Sequence, residues 1–306
     1  MTSYYADLHN HTRASDGDFS PSELVRRAAG IGLKAIGITD HDTIGGLEEA
    51  VECARDLDIE VIPGVEVSIR FKDDAFTGTL HLLCYFSQET LQDKVFKEDL
   101  AGVLSRGRGI ELVTRRVKEI NAVFGPKGST PILSRELTVD QITGYSPNAS
   151  RRHFALALSE IHGITKRDTI NRIISNSSPA YLPSGIDLED ASELLARQPL
   201  MAVLAHPAAG SFPGEGHYKE VLPPVAVVES YLPRFLAVGL EGLEVYYPGH
   251  TATHQEKMLS WAKTHDLVVT GGSDCHDQTD RPIGVAGIDQ VQFSRFKQRL
   301  LQRQES

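Results

Sequence analysis

The sequence predicts an α/β fold: a parallel sheet, layered or closed into a barrel, with helices outside and one helical insertion. Three observations predict it. Strand-like and helical runs alternate from the N-terminus to about residue 90. Strand signals then vanish until about Ser178 and return afterwards. Side chains suited to holding metal ions sit at the ends of the strand-like runs, where an α/β barrel places its chemistry.

Taken in order, residues 4–9 read as a strand ending at His9. "SPSELVRRAAGIGL" reads as a helix: Ser20 is a natural N-cap, Pro21 suits the first helical position, Glu23 completes a capping box, and Gly30 or Gly32 stops it. "KAIGITDHD" is the next strand and "TIGGLEEAVECARDL" the next helix, followed by the strands "EVIPGVEVSIRF" and "LHLLCYF". From Gln88 to about Ser178 the text is helical and charged, including "RRHFALALSEIHGITKRDTINRIISN". The rhythm resumes with "LMAVLAHP", "GLEGLEVYYP", "EKMLSWAKTHDL" and "VVTGGSDCH". The terminal "SRFKQRLLQRQES" reads as a short helix that frays. The expected organisation is an α/β body of residues 1–90 and 179–306, with residues 91–178 as an inserted helical cap domain.

Bulk composition narrows the function. Hydrophobic residues make up 41% and charged residues 24% of the 306, ordinary for a globular enzyme. A formal net charge of -10 argues against a nonspecific grip on long nucleic acid, though not against a short nucleotide. Cys53, Cys84 and Cys275 form neither a disulfide framework nor a CxxC site, so reduced thiols are expected. The N-terminal text lacks the basic and apolar regions of a signal peptide, and no run is apolar enough for a membrane span. The expected setting is the cytoplasm, without membrane partners.

The chemistry lies in the strand ends. "DLHNH" aims Asp7, His9 and His11 to one side, because side chains two apart on a strand share a face, and "GSDCH" does the same for Asp274 and His276. In "TDHD", His41 is the inward ligand, while Asp40 and Asp42 are placed to fix an imidazole tautomer. Glu66, at the end of an apolar strand, is expensive to bury without a cation and could bridge two ions. His81 and His206 each sit at the edge of an apolar run, and Asp16 follows the first pair. Several imidazoles and carboxylates without thiolates suit Mn, Fe, Zn or Mg rather than a structural Cys-rich zinc site. A site with several such ions supports hydrolysis, phosphate esters above all, by lowering the pKa of a bridging water and neutralising the leaving oxygen. His162, His217, His254 and His265 read as surface or packing residues, and His250 as a residue that could overhang the site. Gly45 and Gly46 open a helix and could meet a phosphate or simply make a turn.

"DLHNHTRASDG", "GITDHD", "PGVEVS", "HLLCYF", "LAHP" and "GSDCH", in this order, resemble the PHP (polymerase and histidinol phosphatase) family. The resemblance implies a distorted (β/α)7 TIM-like barrel with three divalent ions at the C-terminal strand ends. Carried over by position, it implies nine ligands: His9, His11, Glu66 and Asp274 around one ion, Glu66, His81 and His206 around a second, and Asp16, His41 and His276 around a third. It further implies a hydrolase working by metal-activated hydroxide; His206 and Asp16 are the expected catalytic residues, with His206 or a metal-bound water protonating the leaving oxygen.

"SRRHFALAL" resembles the R-x-H-F-A element of the PHP phosphoesterases that act on nucleotides, the 3',5'-nucleotidase and short-RNA 5'-exonuclease group. That implies Arg151 and His153 on a substrate phosphate, with Arg152 as an alternative and Ser150 as the helix cap. The expected substrate is an AMP-like nucleotide or a short oligonucleotide. Where a Gly-Lys commonly precedes "PAY", this chain has Ser177 and Ser178. Histidinol-phosphate phosphatase, a noncatalytic metal-binding module and an amidohydrolase are the competing readings. The last would call for a lysine at a strand end, and none stands in these motifs.

Overall fold

In the computed structural model seven strands form one sheet in sequence order. They are β1 (Ala6–Asp7), β2 (Ala35–Ile38), β3 (Glu60–Lys72), β4 (Thr77–Tyr85), β5 (Met201–Leu204), β6 (Leu240–Tyr246) and β7 (Val268–Gly271). The structure describes residues 4–145, 149, 151–213, 222–279 and 281–304. Two compact units emerge: Met1–Ile69, Leu80–Ala101 and Leu188–Ser306 make the first, Arg70–Thr79 and Gly102–Asp187 the second.

The first unit is a nearly closed barrel. β1, β2 and β3 pair in parallel, as do β5, β6 and β7. The seam is joined by Leu8 N–H donating to Gly271 O at 3.1 Å and Asp274 N–H to His9 O at 2.8 Å. The expected parallel rhythm fails at one strand, since β4 runs antiparallel to β5. The cause is loop length. Only Asp73–Phe76 separate β3 from β4, and a parallel return needs a crossover of a dozen residues or more. Regular pairing in β1 covers two residues rather than the six expected, because the chain turns into the site directly after Asp7.

Helices cover the strands. α1 (Pro21–Gly30) begins with the expected capping box, Ser20 and Glu23 each accepting from the other's backbone N–H. α2 (Leu47–Ala54) starts after Gly46. α3 (Lys94–Ser105) leads to the insertion, and α8 (Leu188–Arg197), named ahead of the insertion's own helices, leads back to β5. α9 (Val225–Ala237), α10 (Ala252–His265) and α11 (Gln290–Gln304) complete the unit. α11 is not the frayed terminus the sequence suggested: Phe293, Phe296 and Leu300 enter the core with Leu8, Leu83 and Val203, and Arg303 Nε donates to Leu200 O at 3.1 Å.

The second unit has its own core. α4 (Gly109–Phe124) buries Leu112, Val113, Val117, Ile120 and Phe124, one face of a helix. That face meets Phe154 of α6 (Arg151–Leu156), Leu158 of the π-helical turn Ala157–Ile161, Ile142 of α5 (Val139–Thr143) and Ile173 of α7 (Arg167–Ile174). Among the described residues, no helix is long and apolar enough to cross a membrane.

One buried carboxylate ties the barrel's first strand to the turn after its last. Asp7, fully buried, accepts from Ser273 N–H at 2.9 Å, Ser273 Oγ at 2.6 Å, Gly284 N–H at 2.8 Å and Asn10 Nδ2 at 3.0 Å. Removing it strands several donors, each costing about 1–3 kcal/mol. Asp7→Ala should therefore lower the free energy of unfolding in urea by roughly 2–4 kcal/mol. A midpoint equal to wild type would show that Asp7 does not hold the seam.

Candidate metal centre

The barrel topology gathers the strand ends. His9 and His11 follow β1, His41 follows β2, His206 follows β5, and Asp274 and His276 follow β7. His81 lies within β4, and Glu66 lies midway along β3 rather than at its end, because the strand continues through Lys72. The ladder extends into the site through bridges between His41 and Glu66 and between Asn10 and Cys275. Two of these residues need unusual backbone. His206 has φ 30° and Asp274 φ 52°, the left-handed region that non-glycine residues seldom occupy. Close approach needs missing side chains too, since a Cβ at Gly272 would collide with His9.

All nine expected side chains converge. Glu66 Oε2 lies 3.1 Å from His9 Nε2, 3.0 Å from His11 Nε2 and 3.2 Å from His41 Nδ1. Its Oε1 lies 3.0 Å from His81 Nδ1 and 3.1 Å from His206 Nε2. Asp274 Oδ1 is 3.1 Å from His11 Nε2 and 3.4 Å from His276 Nδ1, and Asp16 Oδ1 is 3.3 Å from His276 Nε2. Three overlapping groups keep their ligand atoms within 4.8 Å of one another: His9, His11, Glu66 and Asp274; His11, Asp16, His41 and His276; His41, Glu66 and His81.

Burial would raise the carboxyls, but the imidazoles and Arg281 around them outweigh it. His41, His9 and His81 hold Glu66 well below the usual carboxylate range, and His9, His11 and Arg281 do so for Asp274. Burial together with the neighbouring His11 and His81 pushes the His41 imidazole down to about 3 despite Glu66. Asp16 is half exposed; against its partial burial, His276, His41 and His11 keep it ionised.

The donor set fits divalent cations. Ring nitrogens face each other at 3.2 Å between His9 Nε2 and His11 Nε2 and at 3.3 Å between His81 Nδ1 and His206 Nε2. Ligand bonds of about 2.1 Å to a shared ion would space donor atoms by roughly 3.0–3.4 Å at right to tetrahedral angles. Among the described residues, the buried His11 Nδ1 has no hydrogen-bond partner. Thiolate is absent from the set: Cys275 is buried, its thiol pushed up to about 12, and Sγ donates to Asp277 O.

Other expectations fare differently. Asp40 does not fix an imidazole; it accepts from Thr12 N–H at 2.7 Å, Thr12 Oγ1 and Ser15 Oγ, bracing the loop that carries Asp16. Asp42 accepts from Ser68 N–H at 2.8 Å. Imidazole support comes instead from Glu244 of β6, which accepts from His9 Nδ1 at 3.0 Å. Tyr247 donates to Asp274 Oδ2 at 2.7 Å, and Arg281 pairs with the same oxygen. Sequence reading missed all three; the one available signal for Glu244 was a charged residue inside an apolar strand. His250 packs rather than overhangs: Nδ1–H donates to Val245 O at 2.9 Å and Nε2 accepts from Ala208 N–H at 3.3 Å. His254 completes a capping box with Thr251 on α10, and Gly45 N–H donates to Thr43 Oγ1, which is turn chemistry. Ser150 and His217 lie outside the described residues.

Arg151 and His153 belong to the second unit, on α6. Arg151 pairs with Asn176 Oδ1, its guanidinium 5.7 Å from the Tyr181 ring centroid, and His153 stacks with Tyr145 at 6.5 Å. A cleft in this unit is lined by Arg116, Arg151 and Tyr181 with apolar neighbours and no carboxylate. Arg116, another residue the sequence reading passed over, donates from Nε to Leu182 O at 2.9 Å; burial lowers its pKa, with the charge of Arg151 adding to the effect. Ser178 Oγ donates to Ile173 O at 2.8 Å and accepts from Ala180 N–H, closing the end of α7.

A PHP domain model matches residues 7–137. The chain is similar to a 5'-3' exoribonuclease of Haemophilus influenzae, 28% identical over 90% of this chain and 91% of that protein. It is also similar to a 3',5'-nucleoside bisphosphate phosphatase of Chromobacterium violaceum, 29% identical over 88% and 86% respectively. A solved structure from Bifidobacterium adolescentis, described as a metal-dependent phosphoesterase, matches in fold with a TM-score of 0.63 and 23% identity over 98% of this chain and 96% of that one.

The burial of His250 has a consequence for stability against pH. Desolvation lowers its pKa from 6.5 to about 3 in the folded state. The folded state thus resists a proton that the unfolded chain accepts, so the contribution is complete above pH 6.5 and is lost as pH falls toward 3. Replacing His250 with Gln should flatten the acid limb of a urea-stability profile by up to about 1.4 kcal/mol per pH unit in that window. Parallel acid limbs for variant and wild type would contradict a neutral buried ring.

Proposed function

The chain belongs to the PHP family and is a hydrolytic phosphoesterase, and we propose that it hydrolyses phosphate monoesters of small nucleotides. A 3',5'-nucleoside bisphosphate or another AMP-like nucleotide is the leading substrate, with short oligonucleotides as a second class. The observation that carries this reading is Glu66: one buried carboxylate ringed by five imidazole nitrogens within 3.2 Å. Divalent ions, three by family resemblance and drawn from Mn, Fe, Zn or Mg, would be held by His9, His11, Asp16, His41, Glu66, His81, His206, Asp274 and His276. When bound, such ions supply Lewis-acid stabilisation of phosphoryl oxygens and activation of water.

The chain's own groups divide the remaining tasks. His206, buried beside Glu66, would act by helping to hold an ion, because a ring nitrogen bound to metal has no proton to give the leaving oxygen. Asp16, kept ionised and half exposed, would contribute its charge to the ion it helps hold with His41 and His276. Arg151 and His153 contact a substrate phosphate. The nearby Arg116 and the carboxylate-free cleft support that assignment, because a guanidinium fork binds phosphate in a bidentate way. Phosphate recognition here would rest on arginine, as Ser177 and Ser178 stand where relatives of this branch commonly carry Gly-Lys. The two nucleotide-acting relatives favour this reading over histidinol phosphate. Three free thiols fit a cytoplasmic setting.

With manganese present, purified protein should release phosphate from adenosine 3',5'-bisphosphate, and chelation should abolish the release. Asp274→Ala should lose bound metal and activity together. Arg151→Ala should retain wild-type metal content while KM rises roughly 10–100-fold, the loss of one charge-assisted contact. No phosphate from a panel of nucleotides, oligonucleotides and histidinol phosphate would refute the enzymatic assignment; unchanged kinetics in Arg151→Ala would refute the substrate contact alone.

A further inference from the structure

Among the described residues, Glu244 is the one fully buried glutamate of the site that the nine-ligand set does not use. Its position on β6 points it into the barrel, where an unpaired carboxylate would cost several kcal/mol. It has two partners. Oε1 and Oε2 lie 3.0 and 3.2 Å from His9 Nδ1, and Oε2 also accepts the backbone N–H of His206 at 2.8 Å. A carboxylate oxygen facing a ring nitrogen accepts, so Nδ1 of His9 carries a hydrogen and Nε2 is the nitrogen left to meet a metal ion. That Nε2 is the atom beside Glu66 Oε2, His11 Nε2 and Asp274 Oδ1. The second bond holds His206 at φ 30°, the conformation from which its Nε2 reaches Glu66 Oε1 and His81. One side chain therefore orients imidazoles from two strands, β1 and β5, on opposite oxygens of Glu66.

We propose that Glu244 is a positioning residue for the metal centre: it selects the Nε2-donor tautomer of His9 and pins the strained backbone of His206, so that both rings meet divalent ions in a prepared geometry. The proposal rests on the metal-binding reading of the site. Glutamine has the same shape, but if its carbonyl oxygen keeps the His206 N–H, its NH2 group stands where Oε1 met His9 Nδ1, so Nδ1–H loses its nearer acceptor and keeps only the 3.2 Å contact to the shared oxygen.

The test uses zinc, which is diamagnetic, with the full-length protein. Competition against a chelator of known affinity measures binding, and two-bond 1H–15N correlation of histidine-labelled protein reads tautomers, with His9→Gln identifying the His9 signals. In zinc-loaded wild type, His9 should show a protonated Nδ1 and a metal-shifted Nε2. Glu244→Gln should bind zinc 10–100-fold more weakly, the usual cost of losing such a partner, with kcat restored at excess metal and KM unchanged. A residue that merely packs would shift thermal stability and leave affinity and tautomer alone. A His9 protonated on Nε2 in the wild type, or wild-type zinc affinity in Glu244→Gln, overturns the proposal while leaving the metal reading intact. Wild-type protein that takes up no zinc, manganese or iron overturns both. The tautomer measurement needs no variant at Glu244, so it decides even if Glu244→Gln fails to fold.

Discussion

The centre depends on the problem of keeping Glu66 charged inside a barrel. Its side chain is 1% exposed, in surroundings that would normally force protonation. Both oxygens are committed: three imidazoles approach one and two approach the other. Rings can reach both sides only if they come from different strands, and β1, β2, β4 and β5 deliver them. Nearly closing the sheet is thus a condition for compensating one carboxylate. The seam bonds between β1 and β7 have the same role at the other edge, bringing Asp274 and His276 to His9 and His11.

Strain gathers where the demand is greatest. His206 and Asp274 directly follow or closely follow parallel strands and turn through left-handed backbone, which regular strand geometry would not allow. Such conformations persist when the surroundings over-determine them. His206 N–H is fixed by Glu244, and Asp274 N–H by His9 O. Each strained residue is thus tied by its own amide to a neighbouring strand, so the strain and the constraint occur at the same atom.

This explains which parts of the site were legible in the sequence. His9 and His11 were readable because alternate residues of an extended segment share a face, and Asp274 and His276 for the same reason. Glu66 stood out as a carboxylate in apolar text. Glu244 did not, because "LEGLEV" carries two glutamates three apart; Glu241, nearer the surface, offers the same letter with a different environment. Which of the two faces inward is set by the register of β6 on β5, where a bulge between Ala202 and Val203 shifts the pairing. The direction of β4 was implicit in the four residues before it, but the alternation of strands and helices outweighed that local signal. Asp40 was placed near the right loop and given the wrong partner, since Thr12 and Ser15 are close only after β1 and β2 align. Arg116 drew no reading from the sequence, because its burial is a property of how α4 packs against the rest of the second unit.

A guanidinium close to a candidate metal centre raises a question of competition, because arginine and a divalent ion seek the same carboxylates. The two oxygens of Asp274 resolve it. Arg281 and the Tyr247 hydroxyl take Oδ2, while Oδ1 faces His9, His11 and His276. A carboxylate bonded on its outer oxygen has its rotamer fixed and its inner oxygen left for the cluster. The cation then assists ligation, adding to His9 and His11 in holding Asp274 well below the usual range. His9 follows the same rule through Glu244: one atom of the ligand is bound by the protein so that the other can be aimed. The barrel therefore needs two rings of side chains, an inner one that supplies donor atoms and an outer one that fixes which atom each donor presents.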